Sequence, residues 1–143
     1  MRINEWIEHL KTNCPIYLGN YVFGAAEMAV AKTNTLQTPC AFVIPMAENA
    51  KENTLSGGFS QHITVQVGIY LAVTNKSDVL GFAAHEELEV VREEVRVALC
   101  GWQPSGAILP VDFVAGQLIG YDDYTLRWSD VFTTSYFYRK VQA

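Results

Sequence analysis

The stretch HITVQVGIYLAV, residues 62–73, decides the fold. Ile63, Val65, Val67, Ile69, Leu71 and Val73 alternate with His62, Thr64, Gln66, Gly68, Tyr70 and Ala72. A period of two puts all six aliphatics on one face of a strand, which no helical register can do. A strand with one such apolar face needs a second layer to cover it. The segments on either side supply that layer.

Downstream, Asn75, Ser77 and Asp78 provide turn and N-cap chemistry. A helix is expected from Asp78 to Cys100. Its apolar stripe is Ala84, Leu88, Val91, Val95, Ala98 and Leu99, and its wet face carries Glu86, Glu89, Arg92, Glu93 and Arg96. Gly101 suits a left-handed residue just past the end, and Pro104 blocks continuation. Trp102 would then fold back onto the last turn or the sheet edge. Upstream, Ile3, Trp6, Ile7 and Leu10 mark one face of a short N-terminal helix that Asn13 and Pro15 stop. Tyr17 to Phe23 reads as extended, and Ala25–Ala31 has room for a turn or two of helix.

Cys40 to Ile44, between Pro39 and Pro45, reads as a brief strand that pairs with the long one as a hairpin. Met46 to Gly58 is polar and reads as a long loop, the expected moving part. Ala107 to Leu118 reads as a strand interrupted by Pro110 and Gly116. Asp122 and Asp123 mark a turn, and Tyr124 to Arg139 is the last strand, with a bulge expected at Ser129-Asp130. The expected fold class is α+β. A mainly antiparallel mixed sheet carries the long helix on one face and the short N-terminal helix nearby, in a single domain over 1–143.

The chain has 143 residues, 50% of them apolar and 17% charged, with a net charge of -5. That is a globular composition. The acidic balance argues against nucleic-acid binding by bulk charge, which needs Lys and Arg to neutralise phosphates. Met1 to Trp6 lacks the apolar stretch of a signal peptide, and no apolar run approaches membrane-spanning length. No membrane partner is expected. Three widely spaced cysteines, Cys14, Cys40 and Cys100, contain no CxxC and suit reduced thiols in a cytoplasm.

The chemistry-bearing residues read mostly as structure. No local signature of a nucleophile surrounds any of the three cysteines. His85 and Glu89 stand four apart on a helix, but His9 and His62 supply no matching ligand motif. Glu86-Glu87 point in different directions on a helix, and Asp122-Asp123 is turn material. Gly57-Gly58 lacks the Lys-Ser or Lys-Thr of a phosphate loop, and Gly116 to Gly120 lacks the third glycine of a dinucleotide fold. No catalytic residue, metal or cofactor is expected.

The aromatics of the last strand carry more information. Trp128, Phe132, Tyr136 and Tyr138 share one parity, and Phe137 sits on the other. A strand aromatic on both faces is covered by a second layer of its own chain or by another subunit. Both readings stay open here.

These segments together form a family pattern. In order they are an apolar strand closed by Pro45, the polar Glu48–Asn53 segment, Gln61 opening the long strand, Asp78-x-x-Gly81 and the Leu88–Val91–Val95 helix. Then come Ala98-Leu99-x-Gly101-Trp102-x-Pro104, a Gly116-Gln117-Leu118 strand and Leu126-x-Trp128-x-Asp130-x-Phe132. Over about residues 39–139 the chain resembles the tail terminator, or tail completion, proteins of long-tailed bacteriophages and their prophages. The resemblance implies a structural protein, not an enzyme. It implies a homo-oligomeric ring, commonly a hexamer, that caps the tail tube, ends its polymerisation and gives the head a docking surface. The implied partners are the tail tube protein and head-tail connector proteins, with DNA only passing through the lumen. The implied locations are the host bacterial cytoplasm during assembly and then the virion tail. The expected tube or subunit contacts are Glu48, Lys51 and Glu52 in the polar segment, with Trp128, Phe132, Tyr136 and Tyr138 on the last strand. Alternatives are another neck, connector or minor tail protein, a small cytoplasmic enzyme using His62, Cys40 and carboxylates, and a monomeric ligand-binding domain.

Overall fold

The computed structural model describes residues 1–31, 38–75, 82–122 and 124–140. The features expected at Ser77, Asp78, Gly81 and Asp123 lie outside them. In chain order the elements are α1 (Ile3–Asn13), β1 (Val22–Phe23), α2 (Ala25–Ala31), β2 (Cys40–Ala50), β3 (Phe59–Thr74), α3 (Phe82–Leu99), β4 (Asp112–Asp122) and β5 (Thr125–Lys140). The strands form one sheet in the order β1-β2-β3-β5-β4. β1 joins β2 in parallel, and the other pairings are antiparallel. The fold is α+β, with a mixed and mainly antiparallel sheet, as the alternation and helix pattern predict.

β3 is central because it pairs on both sides, along its whole length with β5 and over most of it with β2. It meets β2 from Ile63 to Ala72 and β5 from Phe59 to Thr74. Val65, Val67, Ile69, Leu71 and Val73 all point into the main core, with Ile63 packed at its margin. Facing them are Trp6 and Leu10 of α1 and Ala84, Leu88, Val91, Val95 and Leu99 of α3. Each fully buried aliphatic of this kind contributes about 1.5–3 kcal/mol. On the opposite face of the sheet, the described residues form a smaller cluster at one end. There Met28 of α2, with Phe23, packs on Cys40, Phe42 and Ala72.

Gly101 ends α3 as expected, at φ +85°, and its N–H donates to Val111 O at 2.9 Å. Trp102 reaches farther than expected and packs on α1. Its ring stacks on His9 at 3.9 Å between centroids and meets Trp6 edge-on at 5.4 Å. His9 Nε2 also bonds Ala98 O at 2.7 Å, so the N-terminal helix is tied to the end of the long one. A second tie is polar. The Ser105 backbone N–H and hydroxyl donate to Glu5 Oε1 at 2.8 and 2.9 Å.

Several expectations need correction. Of Tyr17 to Phe23, read as extended, the strand is Val22–Phe23, and residues 15–20 form turns. β2 does not stop at Pro45; it runs through a bulge between Pro45 and Ala47 and stays paired to Ala50, opposite Ile63. The polar composition of Met46–Ala50 hid a strand, because its backbone is held by β3 while its side chains are largely exposed. The loop therefore shrinks to residues 51–58. Asn53 organises it, its Oδ1 accepting from Leu55 N–H at 3.2 Å and Ser60 N–H at 3.1 Å. Next, residues 107–111 are not strand; β4 begins at Asp112 and runs through Gly116 without breaking. The bulge expected at Ser129-Asp130 is absent, since β5 stays in unbroken register with β3. The irregularities fall across from it in β4, between Phe113 and Ala115 and between Leu118 and Gly120. Finally, Arg92 is not on a wet face but is 7% exposed.

Glu5 yields a pH prediction. The Ser105 backbone N–H, partly opposed by burial, holds its carboxyl below the ordinary value of 4.5. Its folded-state pKa is thus depressed, so its stabilisation is present above the unfolded value and is lost as pH falls through the folded one. Glu5→Gln should lower thermal stability at pH 7 by under about 1 kcal/mol, the site being open to solvent. Melting curves of the variant and the parent chain should converge as pH falls below the ordinary carboxylate range.

Candidate assembly surfaces

The burial of Arg92 follows from what faces it. Its Nε and Nη2 donate to Asp130 Oδ2 and Oδ1, both at 3.0 Å, and its Nη1 donates to Glu89 Oε1 at 3.0 Å. Its guanidinium lies 4.4 Å above the Trp128 ring, and Trp128 Nε1 donates to Asp130 Oδ1 at 2.8 Å. Asp130 is fully buried. This fork-on-fork pair locks α3 to β5 in one position, since a planar guanidinium matches a carboxylate in only one orientation. Burial alone would favour a neutral Arg92, but the hydrogen bonds and charge of Asp130 outweigh it and hold the pKa above the ordinary value.

β4 passes beside this pair at Gly116. A Cβ there would stand 2.6 Å from Asp130 Oδ1, 2.9 Å from Arg92 Nη2 and 3.1 Å from the Trp128 ring. Gly116 is thus a close-approach glycine within a strand, not a strand breaker. The rest of β4 is exposed. Phe113 is 37% exposed, Val114 47%, Leu118 53% and Ile119 52%. β4 is the last strand of the sheet, with apolar side chains on both faces. A long apolar edge strand is a template for association.

The expected contact residues fall into two groups. Glu48 lies on β2, not in a loop, and accepts from the Tyr136 hydroxyl at 3.3 Å. Burial first, and then the Glu48 charge, push the Tyr136 phenol upward. Lys51 and Glu52 are exposed at the start of the hairpin turn, where Lys51 N–H donates to His62 O at 2.9 Å. Tyr138 is half-exposed and edge-on to Phe59 at 5.9 Å. Glu48, Lys51, Tyr136 and Tyr138 therefore gather at one end of the sheet. Trp128 and Phe132 lie away from it. Trp128 is half-buried against Arg92, and Phe132 is fully buried in the core, edge-on to Phe113 at 5.6 Å. Phe132 packs inside its own chain and presents no surface.

Sequence reasoning missed the β4 edge and the ion pair. The signal for the first was present: Phe113-Val114 and Leu118-Ile119 put apolar residues on both parities. For the ion pair, each charge stood on an apolar face, Arg92 four after Leu88 and Asp130 between Trp128 and Phe132, but their pairing across 38 positions left no local trace.

The thiols are not primed for nucleophilic work. Cys14 is pushed up to about 12 by burial and by the nearby Glu94 charge, and Cys40 to about 11, chiefly by burial. Cys100 is exposed, and its thiol is also raised, chiefly by desolvation. Among the described residues, no group of three or more His, Cys, Asp and Glu converges as a metal site. The same residues contain no helix long and apolar enough to cross a membrane.

The family profile described as phage tail terminator protein matches residues 1–143. The chain belongs to the phage tail terminator family. Membership makes this terminator a structural component of a phage tail and extends the likeness over the first 38 residues, where the motifs quoted above are silent. Its fold is also similar to a chain in the virion of a native gene transfer agent particle. The TM-score is 0.56 at 14% identity, covering 93% of this chain and 92% of that one. At that identity the likeness speaks to the fold. No curated protein matches significantly.

The polar seam gives two predictions. Asp130→Ala leaves a buried guanidinium unpaired and should cost about 3–5 kcal/mol in urea denaturation, whereas Arg92→Met combined with Asp130→Leu should cost clearly less. Gly116→Ala should cost about 1–3 kcal/mol by forcing the pair apart, a loss that a Gly120→Ala control on the same strand, where an added Cβ meets nothing within 4 Å, should not match.

Proposed function

We propose that this chain closes into a ring with copies of itself and caps a phage tail tube. The ring would end tube polymerisation and present its other face to the connector proteins of the head, with DNA passing through the lumen. The observation that carries this reading is the whole-length match to the tail terminator family, in a chain that leaves a long apolar edge strand uncovered. A hexamer is the number that the family resemblance implies. Glu48, Lys51, Glu52, Tyr136 and Tyr138 at one end of the sheet, and Trp128 farther along β5, are proposed as contacts to the tube or a neighbouring subunit. The host cytoplasm is the proposed site of assembly.

The action is one of shape. A tube end stays open to the next subunit until a protein that fits it, and offers no equivalent surface beyond, occupies it. Heterologous contacts between unlike patches close a ring when the rotation per subunit permits. No bond is made or broken.

Light scattering behind size exclusion should return one discrete mass several times that of the chain. Added to its own polymerising tube protein, the ring should shorten tubes seen by electron microscopy, and Lys51→Glu with Glu52→Lys should weaken that effect. A chain that stays monomeric and leaves tube length unchanged overturns the reading.

A further inference from the structure

The sheet has two open edges, and they are complementary. Among the described residues, nothing pairs with β4 from Asp112 to Gly120 on the side away from β5. Among the described residues, β1 pairs with β2 on its outer side at Ala41 and Phe42, Val43 is buried, and the edge is open from Ile44 to Ala50. Each open edge presents main-chain N–H and C=O groups to solvent. Because β2, β3, β5 and β4 alternate in direction, β2 and β4 run antiparallel. β4 of one copy placed beside β2 of another therefore continues the sheet in the same alternating sense.

Charge favours this pairing over others. Copies at -5 each repel, so a seam between them must be nearly uncharged. From Asp112 to Gly120 the charged residue is Asp112, and from Ile44 to Ala50 it is Glu48. Antiparallel addition brings the Asp112 end of β4 to the Ala50 end of β2, where Lys51 follows. The apolar residues that water now touches, Val114, Leu118 and Ile119, then lie along the neighbour's backbone. Pro45 and the bulges on both strands interrupt the rows of donors, which suppresses indiscriminate edge pairing and leaves few workable registers. The edges also stand at different heights. Asp112 is level with Gln66 of β3 through Thr133, and Ala50 is level with Ile63. A sheet that closes on itself requires such a stagger.

We propose that strand addition of β4 to the open edge of β2 in the next copy, with Asp112 beside Lys51, is the seam between subunits. This rests on the ring reading and names its joint. In a Cys100→Ser background, Val114→Cys combined with Asn49→Cys, and the neighbouring pair Ala115→Cys with Glu48→Cys, should give under mild oxidation a ladder of disulfide-linked multimers. Neither partner alone should give it. Asp112→Lys and Lys51→Asp should each weaken association about 5- to 10-fold by light scattering, and the two together should restore it. Leu118→Lys with Ile119→Lys should yield a folded monomer by circular dichroism and mass. A ring that survives the Leu118 and Ile119 changes and forms no ladder with either cysteine pair overturns the seam and leaves the ring standing. A parent chain that is monomeric throughout overturns both.

Discussion

The register of β3 is the constraint on which the rest of the structure depends. This strand is hydrogen-bonded on both sides, and every second residue from Ile63 to Val73 is aliphatic. A slip of one residue would turn those side chains to the opposite face and set His62, Thr64 and Gln66 against α3. Five of the six aliphatics are buried in the main core, so such a slip forfeits several kcal/mol. That cost fixes β2 and β5 against β3, and through β5 it fixes β4. The helices then have one apolar face to cover, and α1 and α3 cover it together.

Apolar packing alone would not set where α3 sits along β5. The Arg92–Asp130 pair does, because its geometry tolerates little sliding. Buried ion pairs are weak sources of net stability, and their best-attested use is to select one arrangement among several apolar ones. Trp128, Glu89 and the glycine at 116 complete the arrangement, each filling a side of the pair that would otherwise be empty or blocked. The pair lies directly beneath the exposed strand β4, so the surface available for assembly stands on the most rigidly specified part of the sheet.

Among the described residues no group of His, Cys, Asp and Glu converges as a metal site, whereas the apolar side chains of β4 lie open to water. The chain's buried thiols stay protonated, and its aromatic residues pack on one another or on arginine. The proposed ring would act through fit and closure, and both need exposed apolar area held in a fixed shape. The proline and bulges of the open edges belong to the same logic, since they discourage indiscriminate pairing of an exposed strand.

The sequence by itself determined the period-two strand, the two amphipathic helices, the left-handed stop at Gly101 and the α+β class, because each depends on spacing within a short window. The family motifs were legible for the same reason. Only the tertiary structure decided the extent of β2, since Met46–Ala50 is polar and becomes strand through pairing with β3. It also turned Arg92 from a surface residue into a buried one, and Phe132 from a contact residue into core. Helical spacing sets Arg92, four residues after Leu88 and three before Val95, beside the apolar stripe, and only its charge suggested a wet face; spacing cannot report that β5 supplies a carboxylate 38 residues later. Composition likewise marks β4 as apolar, and only its place at the end of the sheet leaves it bare. Local pattern fixes which face a residue takes on its own element; what that face meets is settled by elements distant in the chain.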